Sequence, residues 1–134
     1  MFTAISVFGY LALIAVLLNF SMYFLFLWIK KSRNKVRRKQ LASIARKWMK
    51  THRPVALIAT LLIFNHGLSV LIYSKGFSTS IPFITGAVTG VVFLILLVTG
   101  IFRNQKATGK RRRSHLLMAF IFIIILSLHI ITTF

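Results

Sequence analysis

The 134-residue chain carries 18 Lys and Arg residues, no Asp or Glu, no Cys, and 57% hydrophobic side chains. Its mean hydropathy of +0.84 is too high for a soluble domain of this length, so the composition predicts a single membrane domain. The missing carboxylates exclude glycosidase acid pairs, Ser-His-Asp triads and carboxylate cages for Mg²⁺ or Ca²⁺. The missing cysteines exclude disulfides and thiolate metal sites. A soluble enzyme is excluded, and the sequence shows no evident catalytic site of its own.

Four apolar segments follow one another along the chain, at residues 2–29, 55–73, 81–102 and 116–134. At about 1.5 Å per residue, a helix of about 20 residues crosses a hydrocarbon core of about 30 Å. The first segment lacks the basic start and the small-residue cleavage site of a signal peptide, so it is expected to remain as a membrane helix. The predicted fold is all-α, a transmembrane four-helix bundle, with residues 1–134 forming one domain.

The basic residues are concentrated between the apolar segments. Eleven lie in residues 30–53 and six in residues 103–113, whereas the connection between the second and third segments contains only Lys75. Basic loops are retained in the cytoplasm, so both termini are predicted outside and the two basic loops inside. Because the charge follows the membrane topology, it does not indicate nucleic-acid binding.

Apolar residues recur at helical spacing within the first basic loop, which predicts a short interfacial helix there. These residues are Val36, Leu41, Ile44, Trp48 and Met49. Such a helix could bind the anionic headgroups of membrane lipid, or it could dock an acidic cytoplasmic redox partner. Both interpretations remain open from the sequence.

All four histidines occur on the second and fourth predicted helices, in two pairs of equal spacing. His66 follows His52 by fourteen positions, and His129 follows His115 by the same interval. A helix advances about 21 Å over this interval and returns close to the same face. Both helices begin at a cytoplasmic loop and therefore run parallel. His52 and His115 are predicted to share an inner level, and His66 and His129 an outer level.

Two facing imidazoles at each level could supply both axial ligands of two haem irons. Zinc or copper is the chemical rival, but a stagger of about 21 Å along each helix prevents all four histidines from meeting one ion. Two His without thiolate or carboxylate also make a poor closed zinc site. On the third helix, Gly86 and Gly100 have the same fourteen-position interval. These glycines could make room for haem at both levels, or could serve ordinary close packing of helices.

With these spacings the chain resembles the four-helix dihaem core of membrane b-type cytochromes. In that family the second and fourth helices each provide two histidines separated by thirteen or fourteen positions, and the first and third provide glycines against the porphyrins. The segments His52-Arg53-Pro54 and Asn65-His66-Gly67 are similar to those of small bacterial members. The first helix departs from the pattern, because the position fourteen after Gly9 is Tyr23 and not a second glycine.

The resemblance implies two non-covalent haem b groups, with iron bound by His52 and His115 at the inner level and by His66 and His129 at the outer level. Gly86 and Gly100 would cover the haems. Arg53 and Arg113 are expected to pair with the propionates of the inner haem.

The expected function is transmembrane electron transfer, as the cytochrome subunit of a respiratory complex in the bacterial cytoplasmic membrane. Quinone or quinol is the implied membrane partner, and other redox subunits would supply the substrate chemistry. A small transporter or channel that uses histidines for proton or metal passage is the alternative function. A purely structural assembly subunit would explain only the basic loops.

Overall fold

The computed structural model describes residues 2–106 and 108–133, and within these it contains four helices and no strand. The helices are α1 (Phe2–Lys31), α2 (Lys35–Tyr73), α3 (Ile81–Gln105) and α4 (Gly109–Thr133). All four are long and apolar enough to cross a membrane. The predicted all-α fold with four membrane helices is confirmed, while the placement of the termini stays a prediction.

The helices extend well beyond the predicted apolar segments, and α2 shows the largest extension. Its 39 residues rise about 58 Å, nearly twice the thickness of a hydrocarbon core. The short interfacial helix expected in the first basic loop is instead the first part of this continuous helix. The basic residues of both predicted loops therefore lie mostly on helix ends, because α2 begins at Lys35 and α4 begins at Gly109.

Local hydrogen bonds explain where α2 begins and ends. The side-chain oxygen of Asn34 accepts from the backbone N–H groups of Val36 and Arg37, at 2.9 and 3.3 Å, and so caps the first turn. At the other end, Lys75 adopts a left-handed conformation with φ of 54°, and the N–H of Gly76 donates to the carbonyl of Leu71 at 3.0 Å. This bonding pattern satisfies the last carbonyls and stops the helix.

The chain divides into two compact units, Met1–Val70 and Leu71–Phe134. Within the first unit most of the buried side chains are small, and Ala59 is only 1% exposed. Within the second unit α3 packs against α4, with the rings of Phe93 and Phe122 5.3 Å apart. Most large apolar side chains remain exposed, as expected for helices whose outer surface contacts lipid rather than water.

Candidate histidine centre

The four histidines are half-buried and lie two in each unit, on α2 and on α4. The predicted inner and outer pairs each combine one residue from either unit, and this pairing stays a prediction. Among residues 2–106 and 108–133, no group of three or more His, Cys, Asp or Glu side chains could hold a metal ion together. Each histidine is best understood through the neighbouring helix of its own unit.

His66 is held by the main chain of α1. Its Nδ1 lies 2.9 Å from the carbonyl oxygen of Ile5. Because a carbonyl can only accept, Nδ1 must carry the proton, and in the neutral ring the lone pair is then on Nε2. Gly9 lies against the same ring, since a Cβ placed there would be 3.2 Å from the Cε1 and Nδ1 atoms of His66.

His129 is held by a hydroxyl on α3. The Oγ1 of Thr85 lies 3.2 Å from Nδ1 of His129. The same Oγ1 is within donating distance of the carbonyl oxygens of Ile81 and Pro82, at 3.0 and 3.1 Å. It is also 2.9 Å from Oγ1 of Thr132. When the Thr85 hydroxyl donates within its own helix, it can accept a hydrogen bond from Nδ1–H of His129. The lone pair of the neutral His129 ring is then on Nε2, as in His66.

His115 repeats this arrangement at the other end of the second unit, displaced by the same fourteen positions on both helices. Thr99 Oγ1 donates to the carbonyl of Leu96 at 2.7 Å and lies 3.1 Å from Nδ1 of His115. The hydroxyl again accepts from the ring, which places the Nδ1 proton as in His129. Thr99 therefore serves His115 as Thr85 serves His129.

The glycines singled out from the sequence lie against these two rings. A Cβ on Gly86 would come within 3.0 Å of Cε1 of His129, and a Cβ on Gly100 within 3.3 Å of Cε1 of His115. Gly90, between them on α3, has no such neighbour within 4 Å. Gly86 and Gly100 thus make room for the imidazoles, which differs in detail from the expectation that they face the haem itself.

His52 has a different partner, the side chain of Asn19 on α1. Oriented with its nitrogen toward His52, the Asn19 amide donates to Nδ1 at 3.1 Å and to the His52 carbonyl at 3.2 Å, while its oxygen accepts from the N–H of Ala56 at 3.0 Å. Asn19 follows Ile5 by the same interval that separates Tyr23 from Gly9. Where α1 has Tyr23 instead of a second glycine, the partner of the histidine is therefore a side-chain amide instead of a backbone carbonyl.

No family model, curated protein or solved structure matches the chain. The function is therefore inferred from the residues themselves.

A cavity of about 200 Å³ lies beside His115, lined by Thr99, Phe102, Arg111 and Ser114. The guanidinium of Arg111 donates to the carbonyl of Phe102 at 2.9 Å and so stabilises the end of α3.

Arg113 and Arg53, the predicted partners of the propionates, are both exposed. Their pairing with propionates stays a prediction.

Sequence reasoning missed the residues that hold the Nδ1 atoms. They are the carbonyl of Ile5 and the side chains of Asn19, Thr85 and Thr99. The two threonines carried a usable signal, because each directly precedes one of the two glycines and so repeats their interval. The carbonyl of Ile5 carried none, since every residue has one.

The donor set fits axial ligation of haem. A histidine that ligates iron uses one ring nitrogen and commonly donates its other N–H to a carbonyl or hydroxyl, which fixes the tautomer and the ring orientation. His66, His115 and His129 have this arrangement at Nδ1, and each ring is seated on a glycine.

Proposed function

We propose that the chain is a membrane cytochrome b that transfers electrons across the bilayer between two haem b groups. His52 and His115 would bind the iron of the inner haem, and His66 and His129 that of the outer haem. Arg53 and Arg113 would neutralise propionates of the inner haem. When bound, each haem supplies an iron that alternates between the ferrous and ferric states and so carries one electron at a time.

The observation that carries the proposal is the hydrogen bond from Nδ1 of His66 to the carbonyl of Ile5. An ionisable side chain deep in an apolar helix is costly and is normally retained for a function. Here the ring is held by a backbone acceptor, in the tautomer that offers its Nε2 lone pair to a metal. The hydroxyls of Thr85 and Thr99 can accept from Nδ1 of His129 and His115, which is compatible with the same tautomer in these two rings.

The chain's own residues would position the ligands and limit the chemistry at the iron. Three half-buried rings rest on glycine backbones, so they have little freedom to turn away. Two imidazoles would hold each haem, and the chemistry that a haem held in this way would supply is electron transfer rather than catalysis at the iron. With no carboxylate in the sequence, proton transfer within the membrane has few carriers.

The setting proposed for this activity is the bacterial cytoplasmic membrane, with both basic helix ends in the cytoplasm. Quinone or quinol is the proposed membrane partner, and other redox subunits of a respiratory complex would oxidise or reduce the substrate. These assignments follow from the resemblance to b-type cytochromes and from the large part of the chain that the membrane helices occupy.

The absorption spectrum of the purified protein tests the proposal directly. Sharp reduced-minus-oxidised bands of b type, with two haems per chain, are expected. If the protein is expressed with haem available but is colourless and binds no added haem, the cytochrome proposal is overturned. Histidine-dependent proton or metal flux in liposomes would then favour the transporter.

A further inference from the structure

The turn between α1 and α2 forms a cleft of about 410 Å³, which none of the histidines lines. Three exposed cations line it, Lys31, Arg33 and Arg37. Trp28 and Leu41 form its apolar part. The cap of Asn34 on the first turn of α2 fixes the backbone that carries Arg37. The cleft therefore combines clustered positive charge with an apolar wall on an ordered turn.

The chain cannot neutralise these three cations with its own side chains. The sequence contains no Asp or Glu, so no ion pair with a side-chain carboxylate can form anywhere in it. Like charges held close together repel one another unless an anion lies between them. Arginine and lysine side chains converging on one space are suited to a phosphate group, which accepts several charge-assisted hydrogen bonds. An anion bound between these cations would therefore come from outside the chain.

A stripe of aromatic side chains on α1 leads into the cleft. Phe20, Phe24 and Trp28 follow one another at every fourth position, which places them on one face of the helix. The rings of Phe20 and Phe24 are 5.7 Å apart. Trp28 is 62% exposed and also lines the cleft. An apolar face therefore runs along a membrane helix and ends directly beside the three cations.

We propose that the cleft binds the phosphate of an anionic phospholipid whose acyl chains lie along the stripe of Phe20, Phe24 and Trp28. A soluble phosphate would use the cations but not the apolar stripe, whereas a lipid uses both. Tryptophan at the end of a membrane helix lies at the level of the headgroups, which is where a lipid phosphate is found. The proposal concerns a lipid site and does not depend on haem binding.

Trp28 can report on the lipid beside it. The protein has only two tryptophans, so Trp48→Phe leaves Trp28 as the single emitter. This variant is reconstituted in phosphatidylcholine that contains either brominated phosphatidylglycerol or, at the same mole fraction, brominated phosphatidylcholine. Bromine quenches tryptophan on contact, so stronger quenching by the brominated phosphatidylglycerol is expected.

Two double variants distinguish a specific lipid site from general electrostatic attraction between the basic protein and anionic lipid. Arg33→Gln with Arg37→Gln should weaken the preference for phosphatidylglycerol about 25-fold, at about fivefold for each cation near the membrane surface. Lys106→Gln with Lys110→Gln removes the same charge from around the turn between α3 and α4, at residues that do not line the cleft, and should retain the preference. All four side chains are exposed, so folding is expected to persist.

Three results would overturn the proposal. Equal quenching by the two brominated lipids would mean that the cleft does not select an anionic lipid, and would leave an acidic protein surface as the occupant. Equal loss in the Lys106/Lys110 variant would mean diffuse electrostatic attraction. A change in Trp28 emission on adding inorganic phosphate to vesicles of pure phosphatidylcholine, abolished by the Arg33/Arg37 change, would identify a soluble phosphate ligand instead.

Discussion

Thr99 and His115 are joined by a contact of 3.1 Å between Oγ1 and Nδ1, and the same kind of contact joins Thr85 to His129 one repeat away on the same two helices. In both cases the threonine belongs to α3 and the next residue is a glycine that lies against the same imidazole ring. A Thr-Gly step thus both orients a histidine and makes room for it. The repeat of this unit within one pair of helices is the most specific feature of the candidate site.

Replacing the orienting hydroxyl tests whether it tunes a ligand. Thr99→Val keeps the shape of the side chain but removes the acceptor for Nδ1 of His115. Loss of such an outer contact typically lowers metal affinity by about 10- to 100-fold. We expect weaker binding of one haem and a shift of its midpoint potential, measured by haem titration and redox potentiometry. Thr89→Val is the matched control, because the Thr89 hydroxyl donates within its own helix, to the carbonyl of Thr85. Equal effects of the two variants would contradict the assignment.

The close contact between Gly86 and the His129 ring can be tested by adding a methyl group to the glycine. Gly86→Ala would place a Cβ 3.0 Å from Cε1 of His129, so the ring must shift. Gly86→Leu should displace it further, with an overpacking cost of about 1–3 kcal/mol. Occupancy of one haem should fall in the order wild type, Ala, Leu. Gly90→Ala has open space and should keep both haems. Unchanged occupancy in Gly86→Leu would mean that Gly86 serves packing alone.

The pairing of histidines across the two units makes a distinct prediction. His52→Ala and His115→Ala should each remove or convert the same haem, whereas His66→Ala and His129→Ala should affect the other. A double variant within a pair should be little worse than either single variant, because both ligands act on one iron. Haem stoichiometry and low-spin resonance signals measure this. Damage to the same haem by His52→Ala and His66→Ala would refute the two-level arrangement.

The side-chain amide of Asn19, the partner of His52, can turn either its nitrogen or its oxygen toward the ring. With its nitrogen toward Nδ1 the amide donates, and the ring proton is then on Nε2. Binding iron through Nε2 requires the amide to present its oxygen instead. Asn19→Asp offers only acceptors, and should lower the midpoint potential of one haem by making His52 a more basic ligand. Gln40→Glu is the control, since it adds the same charge at an exposed position of α2, about 18 Å along the helix from His52. Equal shifts of both haems in Asn19→Asp would argue against a local effect on His52.

Topology can be measured in this Cys-free chain by adding single cysteines. Thr108→Cys lies in the turn between α3 and α4, and Ser78→Cys lies in the turn between α2 and α3. Because 17 of the 18 basic residues fall in residues 30–53 and 103–113, both of these regions are predicted to face the cytoplasm, and an impermeant reagent added outside should label position 78 only. Labelling of position 108 from outside would reverse the orientation.

The sequence predicted the number and class of the helices because about 20 consecutive apolar residues have few alternatives in a membrane. It placed the helix ends poorly, since Lys35 and Gly109 begin helices whose first turns are basic and carry no apolar signal. It found the histidines and glycines by their spacing. It missed Ile5 and Asn19 because a backbone carbonyl and a lone amide acquire a role only when two helices pack in a particular register.

Pro54 interrupts the backbone hydrogen bonding of α2. Proline has no N–H to donate to the carbonyl of Lys50, so one hydrogen bond is missing at that point of this 39-residue helix. His52 lies two positions before Pro54. It therefore belongs to the basic part of α2, residues 35–53, rather than to the apolar part that carries His66. If α2 bends at Pro54, the His52 ring moves with residues 35–53, whereas the His66 ring stays with the apolar part of the helix.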